Sequence, residues 1–296
     1  LDQQLQAQKL GIWPTAGNVY GTLAIFAIGT STTTRNKYTF SGDVNAVATA
    51  SSAVSNSGGA AGNSTVGIFA LGNGTTTRDK YTYSGCVSAA ATASSVASSN
   101  SGSAAGNSTV GIFALGNTST TRNKYTYSGD TNAVATASSV PSYLGSAAGN
   151  STVGIFAIGN SCCGCCPNTT TRNKYTYSGD TNAAATASNA VSVGGAAAGN
   201  ATVGIFALGS STTTRNKYTY SGDVNAAATA SSAVSAYGYA AGNATVGIFA
   251  LGTTPCYSPT RNKYTYSGCT NAVATASSAN SSYGAAAGNG TTGVNV

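Results

Sequence analysis

Apolar and polar positions follow one another in a pattern that returns six times along the chain. In residues 122–127, Arg-Asn-Lys-Tyr-Thr-Tyr puts both cations on one side of an extended segment and both tyrosines on the other, the period of two that marks a strand. Upstream lies an apolar run, residues 152–159 in the fourth copy, preceded by small residues at 147–150. The Tyr-bearing segment of that copy covers 172–178, and an Ala- and Thr-rich segment follows at 182–188. Each of the four segments is too short for a stable helix and is bounded by Gly, Asn or Ser-Gly. Their Ile, Phe, Thr and Tyr suit a pleated surface, so the pattern predicts four short strands per unit.

The Arg that opens the Tyr-bearing strand stands at 35, 78, 122, 172, 215 and 261, at intervals of 43, 44, 50, 43 and 46 residues. Four strands in a unit of about 45 residues is the signature of a propeller blade. The expected fold is therefore all-β, a six-bladed β-propeller of four-stranded blades. A disordered low-complexity chain would not need Ile-Phe and Tyr-x-Tyr at a fixed phase, whereas a β-solenoid with long coils is the competing architecture. Residues 285–294 repeat the start of a unit without finishing it, which suggests that a terminal strand closes the ring on the first blade. Residues 1–14 lie outside the repeat; with Leu5, Leu10, Ile12 and Trp13 before Pro14 they read as an N-terminal arm that either docks or frays. The domain organisation is thus an arm at 1–14 and a six-repeat propeller at 15–296.

The order of small strand, apolar strand ending in Gly, hairpin, Tyr-bearing strand and final strand resembles the kelch propeller repeat over residues 15–296. Gly-Ile-Phe-Ala-Leu-Gly at 111–116 and Arg-Asn-Lys-Tyr-Thr-Tyr-Ser-Gly-Asp at 122–130 are similar to phrases in Tyr-rich, kelch-like repeat proteins encoded by bacteriophages and cyanobacteria. One Gly, such as Gly116, stands where kelch repeats usually have two, and the kelch Trp is absent. The resemblance implies a propeller and a virion or surface setting. It implies no activity.

Composition narrows the chemistry. Charged residues make up 6% of the chain, against about 25% in an ordinary globular domain. His is absent and every acidic residue is Asp, so no Ser-His-Asp or Cys-His set can be assembled, and no phosphate-binding Gly-Lys-Ser/Thr loop occurs. No enzyme activity and no cofactor are expected. The chain has no apolar run near the ~18 residues of a membrane helix, so no span is expected.

Net charge is +7, and twelve of the thirteen cations are the Arg and Lys of the repeats. In four units an Asp follows the Arg eight residues later, roughly 26 Å along a strand and too far for an ion pair within one blade. Two readings of Arg35, Arg78, Arg122, Arg172, Arg215 and Arg261 stay open. Either they lie along neighbouring blades with their stems over Tyr rings, or they form a face that binds anionic glycans or an acidic protein. Nucleic acid is not expected, because the cations are spread around a ring.

Insertions are confined to one place. From each Phe of the apolar strand to the Arg of the same unit the distance is 9 residues, except for 16 in the fourth copy and 12 in the sixth. Both long loops contain Cys: Cys162, Cys163, Cys165 and Cys166 in one, Cys256 in the other. Cys86 and Cys269 replace the Asp after Ser-Gly in units two and six. All seven are candidates for disulfides or links between subunits, and an odd count leaves either a free thiol or an intermolecular bond. Asn-x-Ser/Thr recurs once per repeat, at Asn63 for example, and is read as a turn with φ > 0 between the first two strands.

The expected function is a non-enzymatic structural or display protein, extracellular, on a cell surface or in a virion. Its expected partners are copies of itself or another structural protein. The cysteine usage fits an oxidising exterior if a secretory signal is removed. The alternative is a multivalent, lectin-like propeller, with Tyr stacking on sugar and Arg, Lys and Asn supplying polar contacts.

Overall fold

Each repeat folds into one antiparallel sheet in the computed structural model, which describes residues 21–98, 102–116, 118–161, 167–253 and 256–290. Blade 1 contains β1 (Leu23–Ala27), β2 (Arg35–Thr39) and β3 (Val44–Ala48). Blade 2 contains β4 (Ala60–Gly62), β5 (Val66–Ala70), β6 (Arg78–Thr82) and β7 (Val87–Ala91), and blade 3 contains β8 (Ser103–Gly106), β9 (Val110–Ala114), β10 (Arg122–Thr126) and β11 (Thr131–Ala135). Blade 4 has β12 (Ser146–Gly149), β13 (Val153–Ala157), β14 (Arg172–Thr176) and β15 (Thr181–Ala185). Blade 5 has β16 (Ala196–Gly199), β17 (Val203–Ala207), β18 (Arg215–Thr219) and β19 (Val224–Ala228). Blade 6 has β20 (Tyr239–Gly242), β21 (Val246–Ala250), β22 (Arg261–Thr265) and β23 (Thr270–Ala274), followed by β24 (Ala285–Gly288).

The first strand of each unit lines the axis, where only Ala, Ser and Gly fit side by side, with one exception at Tyr239. β24 completes blade 1, giving the sheet order β24-β1-β2-β3 with Ala24 opposite Gly288 and Ala27 opposite Ala285. The ring is closed by a strand from the far end of the chain. The arm expected at 1–14 lies outside the described residues.

The core sits between blades, not within them. Successive residues of a strand point to opposite faces, so the Ile-Phe pair of each second strand feeds two different seams. Ile68 of blade 2 packs with Ala104, Phe113, Leu115, Tyr125 and Tyr127 of blade 3, while Phe69 packs with Ile25 and Ala27 of blade 1. Both faces of the second strand are covered, which is why its sequence shows an unbroken apolar run. The third strand alternates: Arg122 and Lys124 face blade 4, and Tyr125 faces blade 2. Gly159 ends its strand at φ 77°, and a Cβ there would lie 2.2 Å from the Tyr143 carbonyl oxygen, so the position needs glycine.

Two strands are shorter than their sequence suggests. β14 stops at Thr176, because the chain turns over at Gly179 and Asp180, the latter at φ 48°. β15 stops at Ala185, because the Thr186 amide leaves the sheet to donate to Asp223 of blade 5 at 2.9 Å. The turns after the first and third strands emerge on one face. The inserted loops between the second and third strands emerge on the other.

Candidate functional site

The repeated polar residues meet at the seams. Arg122 leaves the start of β10 and enters blade 4, where Nη1 donates to Asn182 Oδ1 at 2.7 Å and Nη2 to Asn173 Oδ1 at 3.4 Å. Its guanidinium lies 4.5 Å from the Phe156 ring centre. Arg78, Arg172, Arg215 and Arg261 repeat this arrangement, each on two Asn and one Phe of the next blade. At the seam of blades 1 and 2 the partner is charged: Arg35 Nη2 is 2.8 Å from Asp79 Oδ2, and both side chains are 0% exposed. Burial pulls the Arg122 guanidinium down to about 10, so it stays cationic at neutral pH.

Of the two readings of these arginines, the geometry fits the one that lays them along neighbouring blades and not the exposed anion-binding ring. Arg35, Arg78, Arg122, Arg172, Arg215 and Arg261 are at most 1% exposed, and each is a key inserted into its neighbour. The tyrosines expected to stack on sugar are also withdrawn. Tyr38, Tyr81, Tyr125, Tyr175, Tyr218 and Tyr264 are buried completely, and the second Tyr of each pair is buried too. Blade 1 carries Phe40 at that second position, against Tyr38.

A second set of contacts clamps the opposite face. Asp130 of blade 3 accepts hydrogen bonds from Tyr125, from the Thr92 amide of blade 2 at 2.9 Å and from Lys80 Nζ at 3.1 Å. Asp180 and Asp223 repeat the set with Tyr175, Thr136 and Lys124 and with Tyr218, Thr186 and Lys174, and Asp43 accepts from Tyr38 and Thr275. Burial raises the Asp130 carboxyl, but the Thr92 amide, Tyr125 and Lys80 outweigh it and bring the group down to about 2. The Asp was legible as the end of a strand. Its ion pair across to the next blade was not.

Blades 2 and 6 break the pattern with Cys86 and Cys269. Both are partly exposed free thiols, as is the exposed Cys256 on the inserted-loop face. Cys162, Cys163, Cys165 and Cys166 lie outside the described residues. Among the described residues no disulfide is formed, so the pairing expected for these positions is not found there. Asn63, Asn107, Asn150, Asn200 and Asn243 do form the turn between the first two strands, though not through positive φ. Asn107 Oδ1 accepts from the Thr109 and Val110 amides at 2.9 Å, and its Nδ2 donates to the Ser151 carbonyl of blade 4 at 3.2 Å.

Other surfaces offer less enclosed chemistry. The axis holds a cavity of about 40 Å³ at the ends of the innermost strands, beside the stacked rings of Tyr237 and Tyr283. That is room for about one water. Open grooves follow the seams on the turn face, lined between blades 4 and 5 by Asn150, Thr152, Lys174, Thr176 and Thr202.

The sequence reading missed the outer rim. Among the described residues, β3, β7, β11, β15, β19 and β23 each pair on one side only, and none contains a charged residue or Pro. Val47, Val134 and Val273 on this rim are 73%, 69% and 68% exposed. The signal was the Ala-Val-Ala phrase in the last strand, which resembles a core strand by composition.

Comparison with family models finds no match to the chain, and comparison with curated proteins finds none either. Among the described residues no helix is long and apolar enough to cross a membrane.

Proposed function

We propose that this protein is a non-enzymatic structural ring that assembles with copies of itself through its outer strands, in an extracellular, cell-surface or virion setting. The observation that carries the reading is the rim of six uncharged, proline-free edge strands, five of which carry exposed valines. Monomeric β-proteins blunt such edges with Lys, Pro or bulges, because a bare edge recruits another chain. Five-residue strands such as Thr-Asn-Ala-Val-Ala also suit one another. Paired antiparallel about their central Ala, two copies set Asn against Val and Thr against Ala, with no like charges opposed. Any rim strand therefore fits any other.

The kelch-like order of strands and the likeness of its phrases to those of phage and cyanobacterial repeat proteins support the setting. Cys256, exposed on the inserted-loop face, is available for a covalent link between copies. Sedimentation over a range of protein concentrations tests the reading. The native chain is expected to self-associate, and the triple variant Val47→Lys/Val134→Lys/Val273→Lys is expected to remain monomeric with the same melting behaviour. A native chain that stays monomeric throughout would overturn it.

The lectin-like alternative rests on the seam grooves, where Lys174, Thr152 and Thr202 offer repeated polar contacts. A glycan array at multivalent density separates the two, since a scaffold binds nothing on it.

A further inference from the structure

Cys86 and Cys269 stand where blades 1, 3, 4 and 5 place a clamping Asp, and the surroundings have not changed to suit a thiol. The backbone at Cys86 and Cys269 keeps φ at 51° and 49°, within the 48–54° range of the four Asp positions. That left-handed conformation is one that Asp tolerates better than Cys. Each sulfur therefore occupies a niche shaped for a carboxylate.

The donors of the niche are still in place. Where Tyr125, Tyr175 and Tyr218 give their hydroxyl protons to Asp, the buried Tyr81 and Tyr264 hydroxyls lack an acceptor at good geometry and have only the Cys86 and Cys269 sulfurs to donate to. Both tyrosines are 0% exposed. The threonines keep their positions as well, Thr49 and Thr229 donating through Oγ1 to the Cys86 and Cys269 carbonyls as Thr92 does to that of Asp130. Lys217 Nζ approaches Cys269 Sγ to 3.8 Å. A buried donor without a good acceptor is costly, and here two such donors face a group that accepts weakly. Four blades show the species that satisfies the niche: an anion with two oxygens.

We propose that Cys86 and Cys269 are oxidative modification sites, and that their sulfinate forms complete the two missing clamps. The oxidant is a hydroperoxide. In the first step the thiolate sulfur attacks the peroxide, an S–O bond forms as the O–O bond breaks, and the departing hydroxide leaves as water after taking a proton. The resulting sulfenate attacks a second hydroperoxide in the same way and becomes the sulfinate. Each step oxidises sulfur by two electrons and reduces one hydroperoxide, by the ordinary order of cysteine oxidation. The product carries one negative charge and two acceptor oxygens, enough for the Tyr hydroxyl and the Thr amide together, with Lys37 or Lys217 on the neighbouring blade as counter-charge. The two seams so modified are those between blades 1 and 2 and between blades 5 and 6.

The test treats the full chain with hydrogen peroxide and combines peptide mapping by mass spectrometry with thermal melting. The expected result is a gain of two oxygen atoms at both Cys86 and Cys269, together with a higher melting temperature. The variant Cys86→Asp/Cys269→Asp should melt above the untreated native chain, and peroxide should not change its melting temperature, which separates these thiols from the remaining cysteines. The variant Cys86→Ser/Cys269→Ser should melt no higher than the untreated chain. Oxidation that leaves the melting temperature unchanged or lowers it would overturn the proposal. So would an oxygen-bridged link from Cys269 to Lys217, or a double-Asp variant less stable than the native chain.

Discussion

Five buried arginines keep their charge against neutral partners. Arg78, Arg122, Arg172, Arg215 and Arg261 each meet two Asn oxygens and an aromatic face, and only Arg35 meets a carboxylate, Asp79. Burying a cation is costly unless it is paired and fully hydrogen-bonded, so the rings of Phe and Tyr compensate for part of the missing anion. Blade 2 shows how the remainder can be supplied, since Ser52 donates to Asp79 from its amide at 2.9 Å and from its hydroxyl. Blade 3 has the same frame, with the Ser95 amide 2.9 Å from Asn123 Oδ1. Asn123→Asp is therefore expected to stabilise the protein by about 1.5–3 kcal/mol, the worth of hydrogen bonds to a charged group. A higher denaturant midpoint at unchanged slope would be the readout. Arg78→Lys should destabilise, because an ammonium cannot reach both Asn oxygens and stack on Phe113 at once.

At the scale of the strand and turn, the clamps make stability sensitive to acid. Asp43, Asp130, Asp180 and Asp223 are all held below the ordinary carboxyl range, Asp130 at about 2. A carboxyl depressed in the folded state contributes stability that is fully present above its unfolded value of about 3.9 and is lost as pH falls through the folded value. The denaturant midpoint is therefore expected to hold down to about pH 4 and then decline toward pH 2. Asp130→Asn should flatten part of that decline. The carboxylates are partly exposed, so salt should weaken the effect.

The strands were legible because their cause is local. Tyr125 and Tyr127 alternate with Lys124, and the Gly-Asn and Ser-Gly boundaries end each segment within a few residues. Arg122 was harder to place, because what receives it lies in another repeat: Asn173 and Asn182 are adjacent in space only once the ring is formed. Val47 was hidden for a different reason. An outer strand and a core strand can share a composition, and only the sheet order shows that no described strand pairs beyond β3.

At the scale of the whole molecule, the ring is a set of interlocking blades with one seam of another kind. Every second strand pairs with an innermost strand supplied from its own unit except β1, which depends on β24. A chain ending at Tyr283 would leave β1 unpaired along its inner edge and remove Ala285 and Ala287 from the cluster around Phe69. Such a truncated protein is expected to lose its cooperative melting transition and to aggregate, as circular dichroism and turbidity on heating would show.

The same dependence imposes a timetable on synthesis. Ala24 leaves the ribosome long before Gly288, its partner, has been made. At ~5–20 residues per second, blade 1 waits on the order of ten to fifty seconds with three strands. Blades 2 to 6 can assemble in sequence on that unfinished foundation, with Arg78, Arg122, Arg172 and Arg215 each finding its asparagines as the next unit emerges. For that interval, a neighbouring nascent chain that has just completed its own β24 offers β1 the same hydrogen bonds. Crowded translation on one message therefore favours rings closed by exchanged strands, and dilute translation favours rings that close on themselves.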